Sequence, residues 1–296
     1  MDDLRLKYIK LAQELTGSND IKILVAAAKE LEDYDLKSVV EANTKRNKTF
    51  VEFLSYIKIK HPTHGGIPFT PHPFQRNIAN RLQEMLAPSE NYGVMINGAR
   101  QMGISMMTAL FALYAANELG KGVLIISPKL VMSDGLHDHI RFAISNTRLN
   151  AGMTSVTRHS SHFDNDGWIR HTTYGLMKGP MSYCPDIIIA ADLQFCSFAD
   201  TQALMDYFYI FSSQRTKLVL TGGLLNRKGL YYETWTDAHT ARFSNTPGKL
   251  KFEKIHVPFH HHPNRDEEWA KIFKEQLGED QFNREFDPTA DPPNKK

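Results

Sequence analysis

Three short segments of this chain carry residue types that could handle a phosphate ester and its metal ion. The first, INGARQMGIS, places Gly98, Gly103 and Ser105 in register with the phosphate-loop pattern G-x-x-x-x-G-K-[ST]. In such a loop backbone N–H groups at a helix N-terminus surround phosphate oxygens, aided by the positive end of the helix dipole. The lysine that would set a cation against the terminal phosphates is Ile104, which offers neither charge nor donor. Ser105 retains a hydroxyl that could ligate Mg²⁺. Arg100, inside the loop, is the substitute cation; an outward, solvated orientation is the alternative.

The second segment, DIIIAAD, ends an apolar run in Asp192, where a carboxylate reaches a metal ion through water. A helix cap before SFADTQAL is the competing reading of Asp192. A glutamate would follow in a hydrolytic site to orient the attacking water, but Leu193 stands there. Gln194 comes next and faces away from the site if the strand continues. The third segment, LVLTGGLLNRKG, ends a strand in Thr221, Gly222 and Gly223, suited to close approach of backbone to a ligand. Arg227 and Lys228 beyond it are either phosphate contacts or solvated loop charges.

These segments need a scaffold, and the hydrophobic pattern describes one. Apolar runs at 92–96, 122–128, 186–191 and 217–223 alternate with helical stretches at 105–119, 133–145 and 200–213, after a first helix from Phe74 to Met85. Short continuous apolar runs separated by helices predict parallel strands buried on both faces. The expected fold class is α/β: a three-layer core with a mainly parallel sheet, its ligand at the carboxyl ends of the strands. Leu4, Tyr8, Leu11 and Leu15 lie at helical spacing, and a second helix is expected from Ile21 to Asp33. Residues 1–48 therefore read as a helical appendage, 49–287 as the main domain and 288–296 as a disordered tail.

Composition narrows the class. Of 296 residues, 42% are hydrophobic and 23% charged, as in soluble globular proteins. A net charge of +2 leaves nucleic-acid binding to a local patch, such as Lys45, Arg46 and Lys48 in the linker. The two cysteines, Cys184 and Cys196, lack metal-type spacing and read as reduced thiols. The charged N-terminus is neither a signal peptide nor a membrane span, so a cytoplasmic protein is expected. His260, His261 and His262 alternate in direction along extended backbone, which argues against a shared metal ion. Ser160, Ser161, His162, Phe163 and Asp164 read as a polar loop between strands, and Phe208 with its aromatic neighbours reads as core.

The order of these motifs resembles the ATPase domain of large terminase subunits, the DNA-packaging motors of tailed phages, in its myophage-type branch, over about residues 50–287. FTPHPFQRNI resembles the segment whose glutamine, here Gln75, recognises adenine in that family. GARQMGIS resembles its Walker A form, with the Arg-Gln pair at Arg100 and Gln101. YGLMKGPMSYCPDIIIAADLQF is similar to the approach into Walker B, and SSQRTKLVLTGGLLNRKGLYYETWTDA to the coupling motif with Thr221 and Trp235. VPFHHHPNRDEEWAKIFKEQLGEDQFNREF resembles the end of the ATPase domain.

The resemblance implies an ASCE-type P-loop fold, ATP with Mg²⁺ held through Ser105 and Asp192, and double-stranded DNA with phage packaging proteins as partners. The departures fall at Ile104, Leu193 and the Gly222–Gly223 pair, where hydroxyl residues are usual. The family's nuclease domain, with its carboxylate cluster, is not expected within these 296 residues. The leading expectation is a degenerate, non-hydrolysing nucleotide site in phage DNA packaging, or a paralogue that binds DNA or a partner. One alternative is an active motor using Arg100 as its phosphate cation; another is a scaffold that binds no nucleotide.

Overall fold

The computed structural model describes residues 48–61, 65–87, 93–147, 149, 152–174, 184–196, 204, 208, 216–224, 230–236 and 252–287. The chain divides into two compact units, Met1–Lys48 and Thr49–Lys296. The helices expected within 1–47, the tail from 288 and the basic pair Arg227–Lys228 lie outside the described residues.

The second unit begins with α1 (Phe50–Leu54), started by a capping box. Thr49 Oγ1 accepts from the Glu52 amide at 3.2 Å, and the Glu52 carboxylate accepts from the Thr49 amide at 2.8 Å. A two-stranded antiparallel ribbon follows, β1 (Lys58–His61) with β2 (Gly65–Pro68). Its second strand lies within the Pro/Gly-rich stretch HPTHGGIPFTPHP. Next come α2 (Pro73–Glu84), β3 (Gly93–Gly98), α3 (Ile104–Leu119), β4 (Gly122–Ser127) and α4 (Leu130–Asn146). The remaining strands are β5 (Met153–Val156), β6 (Ser160–Phe163), β7 (Trp168–Thr173), β8 (Ile187–Ala190), β9 (Lys217–Gly222) and β10 (Phe252–Val257). Between and after them lie α5 (Leu230–Trp235), α6 (Glu267–Leu277) and α7 (Glu279–Phe286).

Eight strands form one sheet in the order β10-β3-β9-β8-β4-β7-β6-β5. From β10 to β7 every pairing is parallel; β6 and β5 extend the edge antiparallel. Ser160–Phe163 therefore belongs to a strand, which corrects the expectation of a loop. Ser161 and Phe163 are buried while Ser160 and His162 are partly exposed, the alternation of a strand covered on one face.

Alternate side chains of the central strands feed two cores. Val94, Ile96, Val123, Ile125, Ile187, Ile189 and Val219 face one side. Met95, Leu124, Ile126, Ile188, Ala190, Leu218 and Leu220 face the other, with Leu204 and Phe208. The first core is filled by α3, whose residues Met107 to Glu118 are all buried. A helix apolar on every side must lie between two layers, and Phe50 of α1 caps it with its ring 5.3 Å from Phe111.

Candidate functional site

The end of β3, the loop 98–103 and the start of α3 form the turn expected from the sequence. Gly103 is the helix N-cap in a left-handed conformation, φ 72°. Gln101 shares that conformation at φ 60°, which costs a residue with a Cβ about 1–2 kcal/mol. Met107 N–H closes the first helical bond onto Gly103 O at 2.9 Å. The amides of Ile104, Ser105 and Met106 therefore have no intrahelical acceptor and form the donor end of the helix.

The lysine position and the loop arginine are both engaged in contacts of their own. Ile104 folds back so that its Cδ1 stands where a Cβ on Gly98 would stand, and Val257 Cβ lies 3.3 Å from that same point. Glycine at 98 is what makes room for the isoleucine. Arg100 is paired with Glu285 of α7 through its side chain, and its amide donates to Glu285 O at 2.8 Å. Ser105 is exposed at the helix start. Gln75 of α2 is buried beneath the loop; its Nε2 donates to Met102 O at 3.3 Å and its Oε1 accepts from the His72 amide at 3.0 Å.

Arg265, missed as a functional residue, is the loop's main clamp. It is buried, and Nη1 donates to Arg100 O at 2.8 Å. Nη2 donates to Gln101 O at 3.4 Å and to Gln101 Oε1 at 3.3 Å. The guanidinium lies 4.9 Å from the centre of the Trp269 ring and 5.6 Å from that of Phe286. Burial pulls its pKa below the ordinary guanidinium value, and the carbonyls and ring faces hold the charge in place. The signal was the RDEEW segment, but only the fold carries it to the loop 165 positions away in sequence.

The acidic segment departs from the extended geometry assumed for Gln194. β8 ends at Ala190, Asp192 adopts a left-handed φ of 56°, and Leu193–Phe195 form a short 3₁₀ turn. The chain therefore reverses, and Gln194 bridges the site instead of facing away. Its Nε2 lies 3.4 Å from Asp192 Oδ1, and its Oε1 accepts from the Gly223 amide at 3.3 Å. Leu193 is buried in the second core. Burial raises the pKa of Asp192, opposed by the Gln194 contact and the Arg100 charge.

Thr221 is buried on β9, paired in register with Ile96 of β3. Gly222, beyond it, is forced by packing. A Cβ there would meet Gln194 Oε1 at 2.9 Å and the Tyr231 ring at 3.0 Å. Tyr231 cannot retreat easily, because it is buried and its hydroxyl donates to Ile96 O at 2.7 Å. Gly222→Thr is expected to lower unfolding free energy by about 1–3 kcal/mol through overpacking, read from urea denaturation.

These elements place the loop strand β3 and the acidic strand β8 on either side of β9. The fold as a whole is similar to that of solved structures. The ATPase domain of the large terminase of Thermus phage P74-26 matches with a TM-score of 0.53 and 14% identity, over 74% of this chain and 94% of that domain. The large terminase of bacteriophage HK97 matches with a TM-score of 0.52 and 13% identity, over 74% of this chain and 44% of that one. The fold is that of a P-loop NTPase. No protein-family model and no curated protein matches the chain by sequence. The chain thus spans a terminase-like ATPase fold and under half of the longer HK97 protein. None of the described helices is long and apolar enough to cross a membrane. His260 and His261, in a 3₁₀ turn on this fold, are exposed.

Proposed function

We propose that this protein is a terminase-like P-loop module that binds a nucleotide without hydrolysing it, and that it works with duplex DNA or with phage packaging proteins. The observation that carries the reading is the missing lysine together with the pairing of the loop arginine to a carboxylate. Ile104 is packed over Gly98, and the Arg100 side chain is held by Glu285. In this reading the donor end of α3 would receive a phosphate, Ser105 and Asp192 would hold Mg²⁺, and Gln75 and Gln101 would contact the nucleotide. Bound ATP–Mg²⁺ would supply a charged ligand that tightens the loop. With Leu193 buried, the position of the usual water-activating glutamate cannot serve as a base. DNA and packaging partners are carried over from the terminase resemblance alone.

Calorimetry with ATP and ADP, alongside phosphate release with and without duplex DNA, tests this. Binding is expected without DNA-stimulated turnover. Turnover above roughly 1 s⁻¹, the low end of ordinary enzyme rates, would overturn it. Absence of binding at millimolar nucleotide would leave the scaffold reading.

One observation favours the active alternative. Gln194 sits between Asp192 and Gly223, and a glutamine can orient an attacking water in nucleotide hydrolysis. If turnover is measured, Gln194→Ala should abolish it under this second reading.

A further inference from the structure

A cluster of metal-ligating side chains lies away from the phosphate loop, at the edge of the parallel part of the sheet. Asp134 comes from the first turns of α4, His159 from the turn between β5 and β6, and His171 from β7. One ligand atom from each lies within 4.8 Å of the others. In strand order, β7 is four spacings from β3, about 19 Å.

The distances are wrong for hydrogen bonds and close to those of ligands sharing an ion. Asp134 Oδ1 is 3.7 Å from His171 Nε2 and 3.8 Å from His159 Nδ1. Direct hydrogen bonds would be about 2.7–3.2 Å. Two ligands of a tetrahedral zinc-type ion, each about 2.0–2.2 Å from it, lie about 3.3–3.6 Å apart. Small side-chain rotations close that difference, and His159 is half-exposed on a turn, free to make them.

Surrounding groups orient the ligands. Arg158 Nη2 holds Asp134 Oδ2 at 3.0 Å, turning Oδ1 toward the imidazoles. That Oδ1 is buried and has no hydrogen-bond partner. The Ser133 hydroxyl oxygen lies 3.0 Å from Leu130 O and 3.2 Å from His171 Nδ1, which fixes the orientation of the ring. His171 Nε2–H donates to the Arg158 carbonyl oxygen at 2.9 Å, and a bound ion takes the place of that proton. Asp134 Oδ1, buried without a partner beside two imidazoles, is the group that calls for a cation. The outer contacts are those that fix tautomer and carboxylate direction in protein metal sites.

We propose that Asp134 Oδ1, His159 Nδ1 and His171 Nε2 bind a divalent transition-metal ion of the zinc class, with the Arg158 carbonyl beside it. Two imidazoles and one carboxylate suit such an ion better than Ca²⁺ or Mg²⁺, which take oxygen ligands. The ion clips α4 to β7 and to the β5–β6 turn, where the sheet changes from parallel to antiparallel. This assignment is independent of the nucleotide reading.

The test uses the full chain, without a histidine tag, stripped with a chelator and titrated with Zn²⁺ and with Co²⁺. One equivalent of Zn²⁺ is expected by elemental analysis, with a raised melting temperature and the intense visible absorption of low-coordinate Co²⁺. His159→Ala, at an exposed turn, should fold and weaken binding at least ~10-fold, and Asp134→Asn should do the same. A variant with His260, His261 and His262 all changed to alanine should bind as the parent does. Stoichiometric binding that survives His159→Ala and Asp134→Asn, or is lost in the triple-alanine variant, would overturn the assignment. So would a parent protein that binds neither ion at micromolar concentration.

Discussion

Arg265→Ala is expected to lower unfolding free energy by about 3–4 kcal/mol, the largest single-residue effect in the candidate site. Truncation removes a charged donor from the Arg100 carbonyl at 2.8 Å, worth about 1.5–3 kcal/mol for a hydrogen bond of this kind. It also removes a cation from the faces of Trp269 and Phe286, a contact worth up to about 2 kcal/mol when desolvated. The losses overlap, because one side chain makes both, so their sum is an upper bound. The functional consequence is separate. Gln101 is held in a left-handed conformation by the same guanidinium, through its carbonyl and its side-chain oxygen. Without the clamp the loop relaxes toward commoner backbone angles, and nucleotide affinity should fall together with stability. Arg265→Lys should recover less than half of the lost stability, since one ammonium cannot reproduce the planar fork. Urea denaturation and calorimetry of the two variants check both statements. An alanine variant within 1 kcal/mol of the parent, roughly the scale of a surface change, would refute the clamp.

Acidification is expected to destabilise the protein by about 3 kcal/mol between pH 6.5 and about pH 4, through His137 alone. This side chain is fully buried, and burial pulls its pKa from 6.5 to about 4. His171 across from it and Arg141 on its own helix push in the same direction; the Arg158 carbonyl and Asp138 oppose them. Above pH 6.5 the imidazole is neutral in both the folded and unfolded states, so it contributes no pH dependence. Below that, the unfolded chain takes up a proton that the folded state refuses, and stability falls until the folded pKa is passed. At about 1.36 kcal/mol per pH unit, the window of roughly two and a half units sets the magnitude. His171, His139 and His256 have pKa values lowered mainly by burial and add to the loss with the same sign. Denaturation across this range should be run in chelator, to keep metal binding out of the comparison. His137→Gln should flatten the profile; an unchanged profile would place the titration elsewhere.

Much of the architecture was legible because its signals are local. The runs GVMING, GVLIIS, IIIA and KLVLTG are continuously apolar, and such runs between helices leave little choice but parallel strands under two layers. SMMTALFALYAANEL, apolar on every side, had to be an interior helix. The edge strands were harder. Met153–Val156 is exposed throughout and Ser160–Phe163 is short and polar, so neither carries the apolar run that marked the centre. Backbone pairing of β6 with β7 and of β5 with β6 makes them strands, and pairing across the sheet is invisible to a local pattern.

The same division holds at the site. Residue identity alone determined that the phosphate lysine is Ile104, that Leu193 follows Asp192, and that glycines end β9. Those substitutions state which charges and bases are missing, whatever the fold. Tertiary structure decided what the remaining groups do, because direction depends on backbone angles and on partners distant in sequence. A left-handed Asp192 turned Gln194 back toward Gly223. Glu285, 185 positions from Arg100 in the chain, holds the cation expected to replace the lysine. Asp134, His159 and His171 sit on three separate elements with no shared motif, and they meet only because β7 lies between α4 and the β5–β6 turn.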